Sequence, residues 1–177
     1  MSDQQHLDAI AKAVVSRGLP PVHSWNPTRT GEIDIRISRD GQWWYNGSPI
    51  HRKRMVRLFS TVLRVDDDDE TYLVTPYERL RITVEDAPFI AVLLEQGSAL
   101  IFTTNVGDRV VADGDHPIRV HYKTPDAEPS PYVLVRDRLQ ALISRGVFIE
   151  LGNLAEERDG QFGVESCGCF MPLAPVD

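Results

Sequence analysis

Apolar positions along the 177-residue chain recur with two different periods. Between Gln4 and Val15, Leu7, Ile10, Ala11 and Val14 fall at i, i+3, i+4 and i+7, which predicts an amphipathic helix. Gly18-Leu19-Pro20-Pro21 ends it, because glycine caps a helix and proline cannot continue one. Val22 to Gly31 reads as a connector that carries Trp25. From Glu32 the period falls to two. Ile33, Ile35 and Ile37 alternate with Asp34, Arg36 and Ser38, the pattern of a half-buried strand. Arg39-Asp40-Gly41 predicts a hairpin turn, Gln42 to Tyr45 the returning strand, and Asn46-Gly47 a second turn. Ser48-Pro49 then predicts a helix start, with serine as N-cap and proline at the first helical position. Its buried face would be Met55, Leu58, Phe59 and Val62, and it would stop near Leu63 to Val65. Three strands are expected next, at Tyr72 to Val74, Leu80 to Val84 and Phe89 to Leu94. Pro76 separates the first two and Asp86-Ala87-Pro88 the last two.

The pattern then repeats. Ala99 to Thr104, Val110-Val111 and Ile118 to Tyr122 read as strands, the last two flanking the turn Asp113-Gly114-Asp115. After a proline-rich loop from Lys123 to Pro131, Arg136 to Arg145 predicts a helix through Leu139, Leu142 and Ile143. Val147 to Ala155 extends it past a kink at Gly146, and Phe162 to Cys169 closes as a strand. Laid on one another, the two predicted helices match Arg52 with Arg136, Arg54 with Arg138, Met55 with Leu139 and Leu58 with Leu142. The fold class expected is mixed α+β, with a helix and connector over 1–31 and sheet-plus-helix repeats over 32–97 and 98–177. A crevice between two such halves is the expected ligand site.

Composition narrows the function classes. Apolar content of 42% and charged content of 25% are globular values. No apolar run approaches the ~20 residues of a membrane-spanning helix. The segment Met1-Ser2-Asp3-Gln4-Gln5 has neither the basic flank nor the apolar stretch of a signal peptide. With only two cysteines, a reducing cytoplasmic setting is expected. Lys+Arg is 19 against Asp+Glu 26, a net charge of −7, so a broad basic surface for non-specific nucleic-acid binding is excluded. Neither nucleic acid nor membrane is an expected partner.

Several blocks are distinctive. They are Pro20-Pro21-Val22-His23-Ser24-Trp25-Asn26-Pro27, Asp34 to Ile37 with Asp40-Gly41-Gln42-Trp43, and Pro49-Ile50-His51-Arg52 leading to Val56 through Ser60. Tyr72 to Pro76, Asp86 to Phe89, Thr104 to Asp108 and His116 to Val120 continue the series. In this order they resemble the bacterial family known as domain of unknown function 1285, over nearly the whole chain. The resemblance implies a duplicated α+β core whose second half is similar to pleckstrin-homology domains. It also implies a nucleotide-like ligand held between the halves and a role in signal transduction, and it brings no catalytic activity. Cys167-Gly168-Cys169 takes nothing from it.

The residues themselves supply candidate chemistry. His51, Arg52, Lys53 and Arg54 crowd the start of a predicted helix, with Arg57 one turn on. Free N–H groups and guanidinium groups at one helix end make an anion site. The alternatives are pairing with acids such as Asp34 or the Asp66 to Glu70 run, or contact with nucleic acid. Trp43 and Trp44 are adjacent in a strand and face opposite sides, so one is expected in the core and the other exposed or covering a ring. Asp113, Asp115, His116 and His121 suggest a metal, but an Asp-Gly turn explains the acids without one. No metal is expected. Cys167 and Cys169 would share one strand face, either as thiols of no special role or as a redox pair.

The expected function is a regulatory or sensing module for a small anionic, nucleotide-like ligand. Arg52 and Arg57 would grip the anion, Trp43 or Trp44 would stack on its ring, His116 and Arg119 would reach it from the second half, and Asn105 would read a polar edge. The ligand and any cofactor stay unnamed, and the oligomeric state is not set by these residues. One rival is an enzyme acting on a phosphorylated small molecule, with His51 or His116 as acid–base. The other is a protein-binding adaptor without a ligand. There is no G-x-S-x-G and no Cys–His signature to carry nucleophilic catalysis.

Overall fold

The computed structural model describes residues 3–13, 18–124 and 127–176. Two units divide between Asp86 and Ala87. In the first, β1 (Arg29–Ile37), β2 (Trp43–Tyr45) and β3 (Ser48–Pro49) form a meander, and helix α2 (Lys53–Ser60) leads to a second meander, β4 (Leu63–Val65), β5 (Thr71–Val74) and β6 (Glu78–Val84). The sheet order is β3-β2-β1-β6-β5-β4, and only β1 and β6 run parallel. Helix α1 (Asp3–Ala13) precedes this sheet. It buries Leu7 and Ile10 and sets His6 Nδ1 2.7 Å from the buried Glu78 carboxylate. The apolar position Val14 lies outside the described residues.

The second unit repeats the plan. One meander is β7 (Phe89–Gln96), β8 (Leu100–Thr104) and β9 (Arg109–Val111); the other is β10 (Ile118–His121), β11 (Ser130–Arg136) and β12 (Leu139–Ile143). The order is β10-β11-β12-β7-β8-β9, with β12 and β7 parallel. In both units, therefore, the first strand meets the sixth in parallel, flanked by antiparallel partners. This shared order is an internal duplication. Helix α3 (Arg145–Leu154) and a three-stranded sheet of β13 (Glu156–Arg158), β14 (Gln161–Ser166) and β15 (Cys169–Pro175) complete the unit. β7, grouped by pattern with the first repeat, is a central strand of the second sheet.

Three elements differ from the pattern-based expectation. Ser48-Pro49 starts no helix. Asn46 (φ 46°) and Gly47 (φ 72°) form a two-residue turn of positive φ, which returns the chain at once to pair Ser48 with Tyr45. The helix begins only at Lys53 and ends at Ser60, and Leu63 to Val65 is strand. Arg136 to Arg145 is likewise not helical. Asp137 (φ 47°) turns the chain, and Leu139, Ala141 and Ile143 are buried in alternation against β7. Leu139, Leu142 and Ile143 fit helical spacing equally well, so the partner strand decides. The matching of residues 52–60 with 136–144 is therefore a helix laid on a hairpin. The true second helix, α3, runs through Gly146 with Val147 and Leu151 buried. Finally, Cys167 (φ 51°) and Gly168 (φ 75°) form the turn of a β14–β15 hairpin, so the two cysteines do not share a strand face.

A cluster of arginines fixes the entry to the first sheet. Arg64 Nη1 donates to the carbonyls of Val22 (2.8 Å) and Trp25 (2.7 Å), and its Nε donates to Asp66 Oδ1 (2.5 Å). Arg79 also donates to Asp66. Burial pushes the Asp66 carboxyl up, but the hydrogen bonds from Arg64 and Arg79 outweigh it and hold the group below its usual 3.8. Such a depressed carboxyl stabilises the fold above its unfolded-state pKa, and that contribution is lost as pH falls through the folded-state value. Asp66→Asn is expected to lower the unfolding free energy by about 1.5–3 kcal/mol at pH 7, with the gap closing toward about pH 2. Urea titrations at the two pH values measure it. Equal stability at pH 7 would contradict the role given to this carboxylate.

Candidate functional site

The basic segment is positioned by Trp43. Its ring is 1% exposed and lies 6.3 Å, centroid to centroid, from Phe59 of α2. Ile50 N donates to Trp43 O (2.8 Å), so the chain leaving β3 is held to β2 just before the cations begin. The Arg52 carbonyl then accepts from Met55 N (2.9 Å) and Val56 N (3.2 Å) as the cap of α2. No side chain caps this end, and its first turn carries no acid. With Phe59 turned inward, His51, Arg52, Lys53, Arg54 and Arg57 are exposed. The side chains of His51, Arg52, Lys53 and Arg54 make no ion pair or hydrogen bond among the described residues. Within the candidate acidic run, Asp66 is held by Arg64 and Arg79, Asp68 accepts from Tyr72 Oη (2.8 Å), and Glu70 lies 3.6 Å from Arg81.

The tryptophans divide as their alternation requires. Trp43 is the core member and cannot stack on a ligand. Trp44 is half-buried, donates from Nε1 to Ser38 Oγ (3.3 Å), and carries the Arg36 guanidinium 5.1 Å from its ring. Arg36 also pairs with Glu85, so one side of the Trp44 ring is already covered.

In the second unit two of the expected ligand residues, Asn105 and His116, have structural duties. Asn105 Oδ1 accepts from Ile90 N (3.0 Å), and Asn105 N donates to Ile90 O (2.8 Å). Its amide oxygen thus ties the end of β8 to β7. His116 sits in the turn of Asp113, whose Oδ1 accepts from Asp115 N (2.9 Å) and His116 N (2.8 Å) and lies 3.0 Å from His116 Nδ1. The His116 backbone and ring hold the Asp113 carboxyl below its usual 3.8. Arg119 is exposed on β10, beside a groove against β15. His116 and Arg119 are thus not shown converging on one ligand. Among the described residues, no group of three or more His, Cys, Asp or Glu stands together for a metal. No helix there is long and apolar enough to cross a membrane.

One feature left no legible trace in the pattern. The β1–β6 register shifts between Glu32 and Arg36, where β1 bulges from its partner. A cleft of about 610 Å³ opens at that point, lined by Glu32, Asp34, Asp69, Glu70 and Arg81 among others. Arg81 pairs with both Glu32 and Glu70, which already neutralises part of the acidic lining. A bulge is a mismatch between two strands, so neither strand shows it alone.

Comparison with known proteins bears on the whole chain. A family model described as the N-terminal domain of DUF1285, a domain of unknown function, matches residues 20–87, and the corresponding C-terminal model matches residues 88–173. The chain is similar to the crystal structure of a DUF1285 family protein from Silicibacter pomeroyi DSS-3, with 51% identity and a TM-score of 0.88 over 96% of this chain and 95% of that one. It is also similar to a DUF1285 family protein from Shewanella baltica OS155, with 28% identity and a TM-score of 0.55 over 67% of this chain and 90% of that one. No curated protein matches it.

The two tryptophans should separate in mutagenesis. Trp43→Ala is expected to cost about 3–5 kcal/mol of unfolding free energy, whereas Trp44→Ala costs clearly less. Chemical denaturation checks this. A small loss at Trp43 would mean that its ring does not hold α2 to the sheet.

Proposed function

The chain belongs to the DUF1285 family, and we propose that it is a binding module for a small anion, gripped by the cations that open α2. One observation carries this reading: Arg52, Lys53 and Arg54 have no counter-charge among the described residues, in a chain of net charge −7. The first turn of a helix favours anions and disfavours cations. Cations gathered there are locally unfavourable, and a bound phosphate or carboxylate removes the penalty while accepting from the free N–H groups. Arg is suited to such oxyanions because its fork donates two parallel hydrogen bonds.

In this reading the module senses ligand and does not transform it. The nucleotide-like character of the ligand rests on the anionic end alone, since Trp43 is unavailable for stacking. A pleckstrin-homology-like second half is the finer fold reading, supported by a six-stranded sheet followed directly by α3. A reducing cytoplasmic setting agrees with Cys167 and Cys169 being unbridged.

Thermal-shift titration with ATP and with inorganic tripolyphosphate tests the proposal. Ligand at 100-fold its dissociation constant should stabilise by about 2.7 kcal/mol. The Arg52→Ala/Lys53→Ala/Arg54→Ala variant should lose that response, with a ligand-free Tm unchanged or raised. Retention of the full shift by a folded variant would sink the reading.

A second reading, the adaptor, is favoured by Val92 (41% exposed) and Leu93 (60% exposed) on β7. The register shift against β8 between Ala91 and Leu93 disturbs strand alternation here, leaving both apolar side chains outward. If this patch is an interface between copies, light scattering should show a dimer that Leu93→Glu dissociates. A monomer at all concentrations would remove that form of the adaptor reading.

A further inference from the structure

A separate groove lies wholly within the second unit. β10 and β15 are each terminal strands of their sheets, β10 bonded to β11 and β15 to β14. Residues of both line a groove of about 520 Å³, within the range of small-molecule sites. Register decides which backbone groups meet it. Leu134 N donates to Pro117 O (3.2 Å), so the backbone groups of 117, 119 and 121 face β11 and those of 118, 120 and 122 face the groove. Ile118 N is spent on Met171 Sδ (3.5 Å), and Tyr122 Oη donates to Leu173 O (3.2 Å).

An added β-strand is a poor occupant. The β15 wall carries Pro172 and Pro175, which have no N–H to donate, and proline on an edge strand blocks pairing. Side-chain surface is what the groove offers. Ile118, Met171 and Leu173 are buried at its base, with Phe170 and Val120 beside them. The Phe170 ring is held in place. A Cβ at Gly163 would come within 2.5 Å of it, and Arg158, paired with Glu165, stacks 4.7 Å from its centroid. Arg119 is the one Lys, Arg, Asp or Glu among the lining residues. Its guanidinium is exposed and has no partner among the described residues. An apolar trough with a single uncompensated cation at its side is complementary to one kind of molecule.

We propose that this groove binds a free amphipathic organic anion, its apolar body along Met171 and Leu173 and its acidic head on Arg119. The site goes beyond the α2 reading and shares no residue with it.

Displacement of 8-anilinonaphthalene-1-sulfonate fluorescence from the full chain tests it, with decanoate and the neutral decanol as competitors. Decanoate is expected to bind about tenfold or more tighter than decanol, the difference of one charge-assisted hydrogen bond. Arg119→Ala should abolish that preference at unchanged Tm, and Arg119→Lys should keep part of it. Val120→Glu, which sets a carboxylate beside the groove, should weaken decanoate binding, whereas the triple α2 variant should bind it normally. Failure at α2 and failure here are therefore distinguishable. Equal affinity for decanoate and decanol, or no effect of Arg119→Ala, would overturn the proposal. So would a dimer that Val120→Glu dissociates, which would make a second copy the occupant, or binding to anionic phosphatidylglycerol vesicles without displacement by decanoate.

Discussion

Each half depends on one parallel contact between its first and sixth strands. In the first unit it joins Arg29 to Glu78 and Ile37 to Val84; in the second it joins Phe89 to Ala141 and Ala91 to Ile143. Without it, each half would be two three-stranded meanders with open edges and half a core. The contact closes a loop of about fifty residues, a cost that grows only slowly with length but must be met before burial repays it. The buried residues sit on both sides of this seam: Ile33, Ile35, Leu80 and Ile82 in one unit, Phe89, Leu139, Ala141 and Ile143 in the other. The bulge that opens the acidic cleft lies on the same seam, where β1 takes more residues than β6 to cover the distance.

The two halves share this plan and differ in what their connections carry. Between the third and fourth strands, the first unit places α2 with its exposed cations. At the equivalent point the second unit has only the Asp113 turn, whose carboxylate is saturated by local N–H groups. Its helix follows the sixth strand instead and leads into β13 to β15. That appended sheet supplies the second wall of the β10–β15 groove. Duplication thus preserved strand order, while the two halves differ in the segments that connect and follow the repeated strands.

Charge pairing explains why a net acidic chain can present cations without compensation. Glu85, Asp66, Glu70, Glu95, Asp108 and Glu165 all pair with arginines on strands. Asp66 is largely buried and contributes more to stability, whereas the exposed pairs among them, such as Arg36–Glu85 and Arg109–Glu95, contribute little. Their larger effect is on competition, since a carboxylate already bonded to Arg79 or Arg136 is not free to neutralise a distant cation. The cations at the start of α2 and at Arg119 lie outside these pairs and have no carboxylate partner among the described residues.

Residues that need only their neighbours were legible in the chain itself. Ile33, Ile35 and Ile37 specified a strand and Asn46-Gly47 a tight turn, because alternation and positive φ act within a few residues. Family membership was legible as well, from blocks spread over most of the chain. Tertiary structure decided the rest. Leu139 to Ile143 satisfied both periods and became strand only because β7 lies beside it. Trp43 rather than Trp44 entered the core because Phe59 stands on that face. Asn105 was drawn into a backbone tie to Ile90, and Ile118 to His121 met Phe170 to Pro175 to form a groove that neither segment announces. In each case the deciding partner is remote along the chain, and a local pattern carries no information about which distant surface will arrive against it.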